Sequence, residues 1–216
     1  MKDPFEIDRL DMVENQIIAR GLHDPRLLAA FESVPRHLFV PEKDRHLAYA
    51  DDPLPIGFEQ TISQPYMVAL MTNLLQLKGD ERVLEVGTGS GYQAAIVAHM
   101  AKEVHTIEFV PELAARAMEL LSDYPNVFCH FGDGSLGWQG AAPYDAIIVT
   151  ASAPKTPQAL LDQLKDGGRL VIPVGKKGHQ VLEVWNRHGA EFDRDKVMEV
   201  AFVLLRGKLG WDASRR

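Results

Sequence analysis

The chain has one cysteine, Cys129, in 216 residues. No intramolecular disulfide can form, and nothing calls for an oxidising compartment. Cys129 lies in the apolar run Val127-Phe128-Cys129, which predicts a buried structural thiol rather than a nucleophile. No apolar stretch nears the roughly 20 residues needed to cross a bilayer. The opening MKDPFEIDRLDM lacks the apolar centre of a signal peptide. Basic residues are outnumbered, 23 against 30 acidic, for a formal net charge of −7. That balance disfavours a protein that grips nucleic-acid phosphates, which needs a positive surface. The eight histidines show no HExxH or other metal-ligand spacing, so no metal is expected. The expectation is a cytoplasmic monomer with neither a membrane nor a nucleic-acid partner.

What is present is ordinary globular material, 46% hydrophobic and 25% charged, enough for one well-buried domain. Ile7, Leu10, Val13 and Ile17 recur at helical spacing up to Gly21. Asp24-Pro25 starts a second helix, with Leu27, Leu28, Phe31 and Val34 as its apolar face. Prolines 35, 41, 53 and 55 make residues 35–60 read as irregular, and a third helix is expected from Pro65 to Leu77. From residue 82 short strands alternate with helices. Strands are expected at Arg82–Val86, Glu103–Glu108, Asn126–Phe131, Tyr144–Thr150 and Arg169–Val174. Helices are expected at Tyr92–Met100, Pro111–Leu121 and Pro157–Leu164. Gln180–Trp185 and Val197–Leu205 read as a terminal antiparallel pair. The alternation implies an α/β fold with a doubly wound, mainly parallel sheet, preceded by a helical extension.

Glu85-Val86-Gly87-Thr88-Gly89-Ser90-Gly91 joins the first of these strands to its helix. Three alternating glycines cost backbone entropy, which a plain strand-to-helix turn does not require. The position is the carboxyl edge of the sheet, where open α/β sheets bind ligands. The dinucleotide fingerprint G-x-G-x-x-G fails here, because its third glycine would fall on Tyr92. The pattern is E-x-G-x-G-x-G instead. It is similar to the first motif of the Rossmann-like methyltransferases that use S-adenosyl-L-methionine (AdoMet). By that resemblance the loop accommodates the methionine part of AdoMet and Glu85 helps to hold it. Glu108, ending the second parallel strand, would accept the ribose hydroxyls. Gly132 and Asp133, after the third, would meet the adenine amine. Each acid alone reads as a solvated loop carboxylate; at successive strand ends on one edge they reinforce one another.

The acceptor is indicated upstream. No Asn/Asp-Pro-Pro-aromatic motif of base-amine methyltransferases follows Val149-Thr150-Ala151-Ser152-Ala153-Pro154. The stretch from Pro53 to Tyr66 (PLPIGFEQTISQPY), with Arg36-His37-Leu38-Phe39-Val40-Pro41, Val149-Thr150-Ala151 and Pro173-Val174-Gly175, closely resembles the protein-L-isoaspartate O-methyltransferases over nearly the whole chain. The resemblance implies methylation of the free α-carboxylate of isoaspartyl residues in damaged proteins and peptides, followed by cyclisation to a succinimide that partly restores aspartate. Ser63 would be the active-site serine, its hydroxyl on the substrate carboxylate. Thr61 and Ile62 would flank AdoMet, and Gln64 and Tyr66 would join Ser63 in binding substrate. The bland alternative for Ser63 is a helix cap. A carboxylate is already ionised at pH 7, so no general base is needed.

One stretch departs from the family. Phe-Val-Pro-Leu and a small polar segment would be expected where this chain has Phe202-Val203-Leu204-Leu205-Arg206-Gly207, so no C-terminal substrate contact is assigned. The domain reading is one unit over 1–216, with 1–78 as the helical, substrate-facing part and 79–216 as the AdoMet core. Two other functions remain open at this stage: an AdoMet-dependent O-methyltransferase of a small-molecule carboxylate or hydroxyl, and a module that binds AdoMet without turnover.

Overall fold

The computed structural model describes residues 3–211. Its first helix, α1 (Glu6–Met12), continues through a π-helical turn, Val13–Ile17, and a 3-10 turn to Gly21, whose φ of +86° ends the run. The buried face is Met12, Val13 and Ile17, while Ile7 is 73% exposed. Only the later part of this helical run lies against the core, which corrects the expected apolar face. Helix α2 (Pro25–Ser33) starts as expected, with the Asp24 carboxylate accepting the Arg26 N–H at 2.9 Å.

Residues 35–60 are more ordered than their prolines imply. Two 3-10 turns, Arg36–Phe39 and Glu42–Leu47, lead into an antiparallel hairpin of β1 (Leu54–Gly57) and β2 (Gln60–Ile62). Its tip places Gly57, Phe58 and Glu59 at φ of +93°, +54° and +61°. Side chains rarely adopt those values, so turn chemistry gives the hairpin no sequence signature. Helix α3 (Pro65–Leu74) follows and stops three residues short of the expected end, where Gln76 turns to positive φ.

The sheet then builds from β3 (Arg82–Val86), α4 (Tyr92–Ala98), β4 (Glu103–Glu108), α5 (Pro111–Leu120), β5 (Val127–Phe131), β6 (Tyr144–Val149), α6 (Gln158–Asp162), β7 (Leu164–Lys176), β8 (His179–His188) and β9 (Glu191–Val200). The order is β5-β4-β3-β6-β7-β8-β9, parallel through β7 and antiparallel beyond. Strand β7 begins five residues before the expected Arg169. The last strand lies earlier than the expected Val197–Leu205. Its sequence, Glu191-Phe192-Asp193-Arg194-Asp195-Lys196, is mostly charged because β9 is an exposed edge, so no apolar alternation marks it.

Each sheet face carries its own core. On one, Met12, Ile17, Phe31, Val34 and Phe39 of the N-terminal segment pack with Tyr92, Ile96 and Val104. On the other, Leu84, Ile147, Leu160 and Leu170 meet. The helical extension therefore shares a core with the sheet, each large buried side chain adding about 1.5–3 kcal/mol. Phe31, fully buried, meets the Tyr92 ring edge-on with centroids 6.0 Å apart. Phe31→Ala should cost about 3–5 kcal/mol. Urea titration should show a lower midpoint at unchanged slope; an unmoved midpoint would mean the extension contributes little to the sheet's stability.

Candidate active site

A cleft opens at the carboxyl edge of the parallel strands. It is lined by the glycine loop from Val86 to Ser90, by Thr61–Ser63 of the hairpin arm, by Ile107–Val110 after β4, and by Gly134, Thr150 and Ala151. The C-terminal segment Val203–Arg206 covers the remaining side. That segment is held by hydrogen bonds between Ser152 N and Val203 O (2.8 Å) and between Leu205 N and Ser152 O (2.9 Å).

The loop glycines answer to geometry. Gly87, Gly89 and Gly91 have φ of +98°, +54° and +91°, values that favour glycine. A Cβ on Gly87 would come 2.5 Å from Thr150 Oγ1, and that hydroxyl donates to the Gly87 carbonyl. Gly87 and Gly89 face the cleft; Gly91 instead packs against Leu121 and starts α4.

Two acids sit beneath and beside the loop. Glu108 accepts the Gly89 N–H on one oxygen (2.8 Å) and the Val110 N–H on the other (2.9 Å). Each oxygen keeps a lone pair, so the carboxylate can still accept two neighbouring hydroxyls. Glu85 is fully buried below the loop. One of its oxygens accepts from the Thr106 hydroxyl, which lies 2.6 Å from the Thr88 hydroxyl of the loop; the other has no partner among the described residues. Burial lifts its pKa to about 8, opposed by the Thr106 hydrogen bond and aided by the charge of Glu108. Cys129 is half-buried and its thiol is pushed up to about 11 by burial and then by Glu85. It stays protonated, in keeping with a structural role.

The other expected residues divide. Thr61, Ile62 and Ser63 line the cleft. The residue capping α3 is Gln64, without a side-chain cap bond, so Ser63 is not the cap. Its hydroxyl makes no hydrogen bond among the described residues. Gln64 and Tyr66 are turned to the N-terminal segment: the Gln64 amide donates to Asp51 O at 2.8 Å, and Arg20 lies over the Tyr66 ring at 4.6 Å. Gly132 and Asp133 stand just outside the lining. Asp133 Oδ1 accepts from Ser135 N and Oγ, and Oδ2 accepts from Lys208 N at 2.7 Å. Gly134 takes their place in the wall, where a Cβ would come 2.7 Å from Val86. Thr88, Phe109, Gly134, Thr150 and the Leu204–Arg206 arm line the cleft without having been assigned to it from sequence, although Thr88 lies inside the glycine motif and Gly134 in the Gly132-Asp133-Gly134 run.

These residues fit AdoMet: a tight loop that presents the backbone of Gly87 and Gly89 to the cleft, and an acid, Glu108, with paired acceptors beside it. The raised Glu85 pKa also has a consequence for the ligand-free protein. A carboxyl near 8 when folded and near 4.5 when unfolded binds more proton in the folded state across that window. Its contribution to stability therefore falls as pH rises from about 4.5 to about 8. Glu85→Gln should remove this fall, so that the melting temperature lost between pH 5 and pH 8 shrinks by about 10 °C. Equal losses in parent and variant, by calorimetry, would assign the pH dependence to another group.

Comparison with known proteins agrees with this geometry. The family model described as protein-L-isoaspartate(D-aspartate) O-methyltransferase (PCMT) matches residues 8–210. The protein-L-isoaspartate O-methyltransferase of Geobacter metallireducens is 53% identical over 210 residues, covering 96% of this chain and 97% of that protein. Protein-L-isoaspartate O-methyltransferase 1 of Syntrophobacter fumaroxidans is 51% identical, covering 96% and 98%. A solved protein-L-isoaspartate O-methyltransferase superposes with a TM-score of 0.83 at 27% identity, over 95% of this chain and 67% of that one. A Plasmodium falciparum protein assigned the same activity, solved with S-adenosyl-L-homocysteine, gives 0.78 at 26% identity over 92% and 98%. Matched from end to end of its sheet, and by relatives of its own length, the chain belongs to the protein-L-isoaspartate (D-aspartate) O-methyltransferase family.

Proposed function

We propose that the cleft performs AdoMet-dependent methylation of the isoaspartyl α-carboxylate, with Ser63 orienting the acceptor oxygen. The observation that carries this reading is the meeting of Ser63, whose hydroxyl has no partner among the described residues, with the glycine loop and Glu108 in one cleft. When bound, AdoMet supplies a methyl carbon made electrophilic by its sulfonium sulfur. Glu108 holds the ribose through its remaining lone pairs, and Gly87 and Gly89 let the methionine part lie against backbone. Glu85 supports the loop from below through Thr106 and Thr88. The acceptor is a carboxylate, ionised at neutral pH, so no general base is required of the chain. The work left to the chain is alignment, which can remove several kcal/mol of barrier.

The methyl ester so formed opens the succinimide route back to aspartate, which makes the reaction one of protein repair. A small-molecule acceptor would leave the Thr61–Ser63 arm without a purpose, and the full-length family match weighs against it. The same proposal takes the domain as one unit over 1–216, acting as a cytoplasmic monomer on isoaspartyl proteins. Supporting these points, the extension and sheet share a core, and no described helix is long and apolar enough to cross a membrane. The net charge of −7 supports the absence of a nucleic-acid partner.

Three outcomes check the reading. An isoaspartyl peptide should accept labelled methyl while its aspartyl twin, differing by one methylene moved between backbone and side chain, stays nearly inert; comparable rates would point to a general carboxyl methyltransferase. Ser63→Ala should lower kcat and kcat/KM together, leaving AdoMet affinity and melting temperature close to the parent's; normal turnover would end the orienting role. Glu108→Ala should weaken AdoMet binding about tenfold or more in calorimetry, since hydrogen bonds to a charged group contribute about 1.5–3 kcal/mol each.

A further inference from the structure

Among the described residues lining the cleft, Arg206 is the one Lys, Arg or His side chain. It stands on the C-terminal arm and reaches across the mouth to the β1–β2 hairpin tip. There its Nη2 donates to Phe58 O at 3.2 Å and lies 3.4 Å from Glu59 Oε2. The Glu59 side chain is 71% exposed, that of Arg206 27%. A partly exposed ion pair of this kind is held weakly and can exchange one carboxylate for another. The arginine fork suits that exchange, because it binds carboxylates in the plane of its five N–H groups.

The reacting carboxylate is the wrong partner for this cation. Methylation removes the negative charge, so a guanidinium on that group would stabilise the starting state more than the transition state and slow the reaction. The neutral Ser63 hydroxyl suits the reacting oxygen, and the rim cation suits a carboxylate that does not react. We infer that Arg206 reads a second carboxylate on the acceptor chain, so that isoaspartyl sites with an acidic neighbour are preferred; this rests on the isoaspartyl reading above. The peptide carboxylate takes the place of Glu59 on the guanidinium, and the ion pair closing the mouth is replaced by one that holds the substrate. The net charge of −7 does not oppose this at contact range, because screening at physiological salt limits distant charges to about 8 Å.

The test measures kcat/KM on acetylated, amidated isoaspartyl hexapeptides with Glu or Gln at each of the two positions on either side of the isoaspartyl residue. At one or more positions the parent should favour Glu by about two- to fivefold, and the ratio should shrink in about 0.5 M salt. Arg206→Gln should bring the ratio to about one, Arg206→Lys should keep part of it, and Glu59→Gln should widen it by removing the competing carboxylate. A purely structural arginine would change Glu and Gln peptides by the same factor and leave the ratio alone. A parent ratio of one or less at all four positions, or a preference that survives Arg206→Gln, overturns the inference while isoaspartyl methylation stands. If no isoaspartyl peptide is methylated, the functional reading itself fails and the inference falls with it.

Discussion

The reversal of winding at β3 is the constraint on which the rest of this structure depends. β4 lies on one side of β3 and β6 on the other, so the connections leaving their carboxyl ends diverge and open a gap above the central strands. Everything chemical here stands around that gap. The glycine loop leaves β3 directly into it, Glu108 ends β4 beside it, and Thr150 follows β6 on its far wall. One hydrogen bond, from Gly89 N to the Glu108 carboxylate, ties the first two together across adjacent strand ends. The loop is thus positioned by an acid that lines the same cleft, and loop shape and the placement of that carboxylate cannot vary independently.

The N-terminal and C-terminal segments finish a cleft that the sheet only begins. The extension packs its aromatic residues against Tyr92, and Tyr92 is also part of the cleft wall. The arm that carries Ser63 continues from that extension. From the other end of the chain, Asp133 pins Lys208, and a Cβ on Gly207 would fall within 1.9 Å of its carboxylate. Both walls are therefore made of segments far apart in sequence, each held by a small number of specific contacts.

How much of this was legible followed from where each signal lay. Residues 82–149 announced themselves because doubly covered parallel strands must be apolar and the loops between them must carry glycine or acid. Glu85, Gly87, Gly89 and Glu108 were found for that reason. The hairpin was illegible, since Phe58 and Glu59 adopt positive φ without the glycine or asparagine that usually marks it. Strand β9 lies off the apolar pattern because its exposed positions favour charge over apolar alternation. Asp133 has the spacing of a ligand contact; one of its oxygens takes two bonds from Ser135, and the other accepts from Lys208 N, a partner 75 residues later, and keeps a lone pair. Gln64 and Tyr66 have the right neighbours in sequence but face Asp51 and Arg20. Local pattern tells what a residue could do; a tertiary partner decides what it is left free to do.

The charged edge at β9 has a further consequence for a repair enzyme. Damaged proteins are partly unfolded, and an unfolded chain readily adds itself as another strand to any open sheet margin. Along β9, Asp193, Arg194, Asp195 and Lys196 alternate in sign and are almost all exposed. A client chain laid there would have to bury those charges to pair its backbone. The β9 margin of the enzyme's sheet is thereby closed to its own clientele.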